Sequence, residues 1–360
     1  LNGNINNYFL GGNTSCKFFS LFHEAIDLKQ ANRVFYLKGG PGTGKSTLMK
    51  SVGSHFETLG YDIDYFHCSS DCDSLDCILI NNLKIALFDG TAPHTMDPKY
   101  PGAVDEIVDL SLNWDESKLK SSREKIIKCQ ENLSVYYDRC FSYLKCCRNL
   151  LENNSFTMKK AINHKEYVSL LGELSKEIFS NSIKSMDCPT NSRHLFISAF
   201  APQGAVSYVN ELIKKSHKTY LLKGSIGRNH MLQDLVKTAL NMGLSVDAFH
   251  NPLAPEKLEH IYIKELNISI VSDNQYCPLD TPYKIIYLDR FLKSELVCDF
   301  LQDMKENKAY SDEMLSIALN MLKMTKKTHD DLENIYIDAV DFNKINSIRD
   351  NIIEKIHSFI

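Results

Sequence analysis

The chain repeats itself, and the repeat constrains its fold more than any other feature. Phe9-Leu10, Ser20 and Glu24-Ala25-Ile26 align with Phe196-Ile197, Ser207 and Glu211-Leu212-Ile213 at a spacing of 187 residues. Leu37-Lys38-Gly39 then matches Leu222-Lys223-Gly224 at 185, and Gly60, Asp64, Phe66 and His67 match Gly243, Asp247, Phe249 and His250 at 183. A period of this length means two copies of one folding unit, with the lost residues falling just after Gly39.

Each copy reads alike. A β-rich run (34–38, or 219–222) enters a glycine-bearing turn and an amphipathic helix that ends near Gly60 or Gly243. A second strand (62–67, or 245–250), a connection and a third strand (85–88, or 268–271) follow. Strands alternating with helical segments imply an α/β class of parallel βαβ units. Long helical stretches at about 116–185 and 296–360 read as an appendage to each unit. The expected division is 1–190 and 191–360.

The turn of the first copy, Gly39-Gly40-Pro41-Gly42-Thr43-Gly44-Lys45-Ser46, satisfies G-x-x-x-x-G-K-[ST] after an apolar strand and before a helix. Such a loop wraps tightly, so its amides and the positive helix end converge on phosphate oxygens. The expected ligands are ATP and Mg2+. Lys45 reaches the β- and γ-phosphates, Ser46 ligates magnesium, and Thr47 lies near the α-phosphate.

Magnesium also needs a carboxylate. Asp89 is the candidate, because Leu83 to Asp89 is an apolar strand that delivers an acid at its C-terminal edge; the competing reading is a turn-initiating Asp before Gly90. Asp105-Glu106 is a rival pair, a poor strand end that still offers Glu106 as the base orienting the attacking water. His94 and Asp97 lie in the segment after Asp89, where they are expected to polarise that water or to be plain loop residues. His67, repeated as His250, suits a structural role as well as a catalytic one.

The second loop, Gly224-Ser225-Ile226-Gly227-Arg228-Asn229, is two residues short. Arg228 stands for Lys45, Asn229 for Ser46, and Ser272 for Asp89. Three losses on the same chemistry predict a second half that does not hydrolyse nucleotide, with Arg228 left to hold at most an anion.

Composition narrows the remaining classes. Hydrophobic residues at 43% and charged residues at 24% suit a globular chain. No apolar run approaches the ~18 residues of a membrane span and no signal peptide is visible, so the expectation is cytoplasmic, with no membrane partner. Eleven cysteines without framework spacing predict reduced thiols. A net charge of -4 gives no general attraction to nucleic acid. The thirteen Lys and Arg against eight Asp and Glu over 117–187 leave nucleic acid a weak candidate partner.

Tyr8-Phe9-Leu10-Gly11, the loop from Gly39 to Thr47, His67-Cys68 with Ser74-Leu75-Asp76, and above all Phe88-Asp89-Gly90-Thr91-Ala92-Pro93-His94 with Asp97-Pro98 carry a resemblance. On these the chain resembles an uncharacterised family of bacterial P-loop ATPase-like proteins built from two tandem halves. The resemblance implies ATP binding and hydrolysis and names no substrate. A magnesium-dependent ATPase is the first expectation. A small-molecule phosphotransferase and a non-hydrolysing regulatory protein are the alternatives.

Overall fold

The computed structural model describes residues 2–91, 96–180, 191–224, 226–274, 279–280 and 282–360. The first part of the chain forms β1 (Ile5–Tyr8), the hairpin β2 (Gly11–Thr14) and β3 (Lys17–Ser20), β4 (Arg33–Lys38), α1 (Lys45–Thr58), β5 (Ile63–Cys68), β6 (Asp71–Ile80), β7 (Ile85–Asp89) and β8 (Asp105–Asp109). Helices α2 (Glu116–Ser121), α3 (Arg123–Lys160) and α4 (His164–Phe179) follow. The pattern then runs again through β9 (Ser192–Leu195), the hairpin β10 (Ser198–Ala201) and β11 (Gly204–Ser207), α5 (Val209–Lys215), β12 (Lys218–Lys223), α6 (Arg228–Asn241), β13 (Val246–His250), β14 (Leu258–Ile263), β15 (Ile268–Ser272) and β16 (Lys284–Tyr287). It closes with α7 (Ser294–Cys298), α8 (Leu301–Ile337) and α9 (Phe342–His357).

Two six-stranded sheets result, ordered β1-β5-β6-β7-β4-β8 and β9-β13-β14-β15-β12-β16, so corresponding strands occupy corresponding places. Val34, Phe35, Tyr36 and Leu37 of β4 are wholly buried, as a strand covered on both faces requires. Neither sheet is all parallel, which corrects the reading of simple βαβ units. Strand β6 runs antiparallel to both β5 and β7, and β14 antiparallel to β13 and β15. Only Ser69 and Ser70 separate β5 from β6, too few for the dozen or more residues of a parallel crossover, and the run Leu75 to Ile80 is buried as a strand.

The helices cross over. Leu170, Leu174 and Ile178 of α4, which follows the first sheet, join the core of the second with Leu232, Leu235 and Ile270. Ile345, Ile352 and Ile356 of α9, which follows the second sheet, join the core of the first with Leu48, Val52 and Leu87. Between them α3 and α8 pack antiparallel, with Trp114 bridged to Val340 at one end and Ile162 to Leu292 at the other. Cys140, Leu144, Leu315, Ala318 and Leu322 fill their seam. Each half therefore carries the helices that complete the other.

The two sheets also share a core, in which Tyr8, Phe66 and Phe88 meet Leu195, Phe249 and Val271. Phe9 and Phe196, one repeat apart, exchange backbone hydrogen bonds of 2.9 and 3.0 Å. The described cysteines are free thiols. Among the described residues, no helix is long and apolar enough to cross a membrane.

Candidate functional site

Strand β4 delivers the chain to Gly39, and α1 starts at Lys45. Gly42 and Gly44 take φ of 68° and 85°, a region that side-chain-bearing residues rarely enter, so the loop closes only with glycine there. Gly44 caps α1 without a side-chain hydrogen bond, which leaves the first-turn amides for an incoming acceptor. Thr43 Oγ1 donates to the Gly40 carbonyl at 2.8 Å and holds the loop curled.

Lys45 is buried at the foot of this loop. Its Nζ donates to the carbonyls of Gly39 and Gly40 at 2.7 and 2.8 Å and lies 3.6 Å from Asp89 Oδ2. Burial lowers its pKa, while Asp89, Glu333 and Asp76 pull it back toward the charged form. Ser46 Oγ accepts the Leu75 amide at 3.0 Å, and Thr47 is exposed beside it.

Asp89 ends β7 directly beside Leu37 of β4. Its Oδ1 accepts the Thr91 amide at 2.9 Å and the Thr91 hydroxyl, as a turn-initiating aspartate does, while Oδ2 is the oxygen nearest Lys45. The Ser46 hydroxyl and the Asp89 carboxylate are the oxygen donors that a hard cation such as magnesium takes. One further group able to hold a metal, His329, Asp330 and Glu333, lies half-exposed along α8 among the described residues.

Other candidates are not brought to the loop. Glu106 pairs with Phe35, near the start of β4, and is held by Arg33 and Lys355. The segment 105–109 is a strand after all, and in its register Asp109, not Glu106, stands level with Lys38 at the loop edge. Asp105 is buried and accepts the amides of Lys99 and Tyr100, organising the preceding turn. Asp97 is exposed, 3.9 Å from Lys38 Nζ. His94 lies outside the described residues. His67 is locked between the Cys72 carbonyl and Asn7, and His250 between the Pro255 carbonyl and His194, which gives both a structural role. We expect Glu106→Gln to lower the melting temperature slightly and, if the loop turns nucleotide over, to leave that rate within about twofold of wild type. A large loss of turnover with an unchanged melting temperature would reject this placement.

The second loop keeps the frame and changes the groups. Asn229 Oδ1 accepts the Leu258 amide at 2.8 Å, the counterpart of the Ser46 contact. Arg228 Nη1 donates to the Asp273 carbonyl just past β15, and Tyr167 of α4 donates to the Gly227 carbonyl at 3.1 Å.

Sequence reasoning takes Asp76 only as part of a family motif and gives no role to the buried acid on the antiparallel strand beside each loop: Asp76 on β6 and, 183 residues on, Glu259 on β14. The recurrence of an acid at this repeat position was the available signal. Glu259 Oε2, His260 Nε2 and Ser272 Oγ are buried and without hydrogen-bond partners among the described residues. The Ser272 amide donates to His260 Nδ1, so neutral His260 carries its proton on Nε2, 3.7 Å from Glu259 Oε2. Burial raises the Glu259 pKa to about 7 against the opposing pull of Arg228 and Asn251.

Between the ordinary carboxyl pKa and that raised value, the folded state keeps a proton that the unfolded chain has released. Stability therefore falls as pH rises through this interval. Glu259→Gln is expected to stabilise the fold by on the order of 2 kcal/mol more at pH 8 than at pH 5. Urea denaturation at both values checks this, and an equal effect at both would reject it.

No curated protein and no solved structure matches the chain. Residues 18–139, about a third of its length, match the family model described as Nephrocystin 3, N-terminal. The loop, Asp89 and the strands that position them all fall within that match, which stops inside α3 and does not reach the second sheet.

Proposed function

We propose that the chain is a magnesium-dependent ATPase whose one competent site is the loop from Gly39 to Thr47. The observation that carries this reading is the position of Lys45, buried under a curled glycine loop and 3.6 Å from a carboxylate at the end of the adjacent strand. Loop amides and Lys45 bind the β- and γ-phosphates, and Ser46 and Asp89 hold magnesium, which neutralises charge on the phosphate oxygens. Residues 1–190 and 191–360 act as tandem P-loop NTPase-like units joined by their exchanged helices. The second, with Arg228, Asn229 and Ser272 at the key places, does not turn nucleotide over.

The test is phosphate release from ATP by the full chain, with magnesium and with excess chelator. Magnesium-dependent release supports the reading. ADP formed only when an acceptor is added would make the protein a phosphotransferase, and tight ATP binding without turnover would make it a nucleotide-binding regulator. Failure to bind ATP at all would sink all three.

A further inference from the structure

The motif leaves the four positions between its two glycines free, yet Gly40 and Gly42 are both glycine here. For Gly42 the backbone supplies the reason, since its φ is positive. Gly40 has no such conformation. What excludes a side chain there is a residue from the far end of the protein: a methyl group on Gly40 would come within 2.9 Å of the Tyr336 ring. The same final turns of α8 place the Glu333 carbonyl 2.7 Å, and Ile337 3.1 Å, from where a methyl on Gly42 would sit.

Tyr336 is itself held firmly. Its ring meets Trp114 edge-on at 5.5 Å, and the turn behind it is zipped to the chain after β8. There the Asp115 amide donates to the Ala339 carbonyl at 2.8 Å and the Asp341 amide to the Asn113 carbonyl at 3.1 Å.

Resting on the nucleotide-binding reading, we propose that Tyr336 is a positioning residue for the first-half loop: it braces Gly40 from outside, so nucleotide binding is coupled to the seating of α8. Amides that wrap a phosphate must keep one curvature, and the Tyr336 ring fills the space into which a side chain on Gly40 would extend. Helix α8 belongs to the second half in sequence and packs along α3, whose chain continues into α4 over the second loop. A change at the phosphate is thereby passed to the long helical pair, and a displacement of that pair is felt at the loop.

The test is a double-mutant cycle on the full chain. Gly40→Ala is expected to weaken Mg-ATP binding, measured by calorimetry, about thirtyfold, because the methyl pushes loop and ring apart. Tyr336→Ala alone should weaken binding about fivefold, the double variant Gly40→Ala with Tyr336→Ala should bind within about threefold of that single variant, and Tyr336→Phe should bind like wild type; a Tyr336→Ala that binds like wild type would overturn the brace. A double variant as weak as Gly40→Ala would overturn the proposal, since the methyl would then be acting on the phosphate rather than on Tyr336.

Trp114, the one tryptophan of the chain, supplies a second readout. Its emission should change when Mg-ATP saturates the wild type, and an unchanged emission would overturn the coupling. Should the wild type bind no ATP, the functional reading and the coupling both fall. The brace is then judged without nucleotide: Gly40→Ala should lower the melting temperature, and adding Tyr336→Ala should not lower it further. Additive losses would overturn the brace as well.

Discussion

Replacing Lys45 with alanine is expected to reduce magnesium-dependent phosphate release from ATP by about 10²–10³-fold, the usual consequence of deleting a preorganised charge that faces a transferring phosphoryl group. Lys45 touches both sides of the site, through the Gly39 and Gly40 carbonyls and through Asp89. On the proposed function, a phosphate entering the loop would take over an ammonium whose desolvation has already occurred in the folded protein, so the interaction would be made in a low-dielectric setting. Alanine removes that charge and leaves the Asp89 carboxylate facing the phosphates, which adds repulsion. Circular dichroism should show an intact fold. Equal rates for wild type and Lys45→Ala would remove the ATPase reading. Asp89→Asn should cut magnesium-dependent turnover by at least about tenfold, whereas Asp105→Asn should act on stability, because its carboxylate serves the amides of Lys99 and Tyr100. The opposite ranking would mean that the metal carboxylate has been misassigned.

What the sequence reveals is what is local or periodic. The loop between β4 and α1 is legible because its glycines stand within eight consecutive residues, and the recurrence of the strand pattern because side chains repeat at 187, 185 and 183. Asp89 is legible because an apolar strand runs straight into it. The misreadings share one cause, which is that register and partner choice are tertiary properties. The acid pair at 105–106 begins a strand, and only its pairing shows that the loop lies three residues further on, level with Asp109. Strand β6 follows β5 so closely that its polar start, Asp71 to Ser74, reads as a loop, which hides that Asp76 sits on a strand. The stripes of α4 and α9 announce an apolar partner without saying which sheet supplies it, so the exchange of helices, and with it the Tyr336 contact, has no local signature.

The junction between the halves carries the other large effect. Arg193 on β9 donates to Asp64 Oδ2 of the first sheet at 2.8 Å and to Asp247 Oδ1 of its own at 3.0 Å, with both aspartates buried. The repeat places Asn6 at the position of Arg193, so a single guanidinium serves the two equivalent aspartates. Asp64 is helped by the amides of Asn6 and Asn81, and Asp247 by Lys264 at 3.0 Å. Burial pushes the Asp247 pKa up, but Arg193 and Lys264 overcome it and hold the carboxyl below its usual range. The stability this confers is present above the ordinary carboxylate pKa and is lost as pH falls through the lowered one. Arg193→Ala leaves two buried carboxylates short of their shared cation, a change expected to cost ~3–5 kcal/mol at pH 7.5. The loss should shrink at pH 5, where a carboxylate freed of its cation can take a proton. Adding Asp64→Asn should recover part of it, since one uncompensated charge is gone. Urea denaturation of the three chains at both pH values measures this. A loss below about 1 kcal/mol, or no recovery in the double variant, would mean that the halves are held by the Tyr8, Phe66, Phe88 and Phe249 core alone and that the bridge only sets their register.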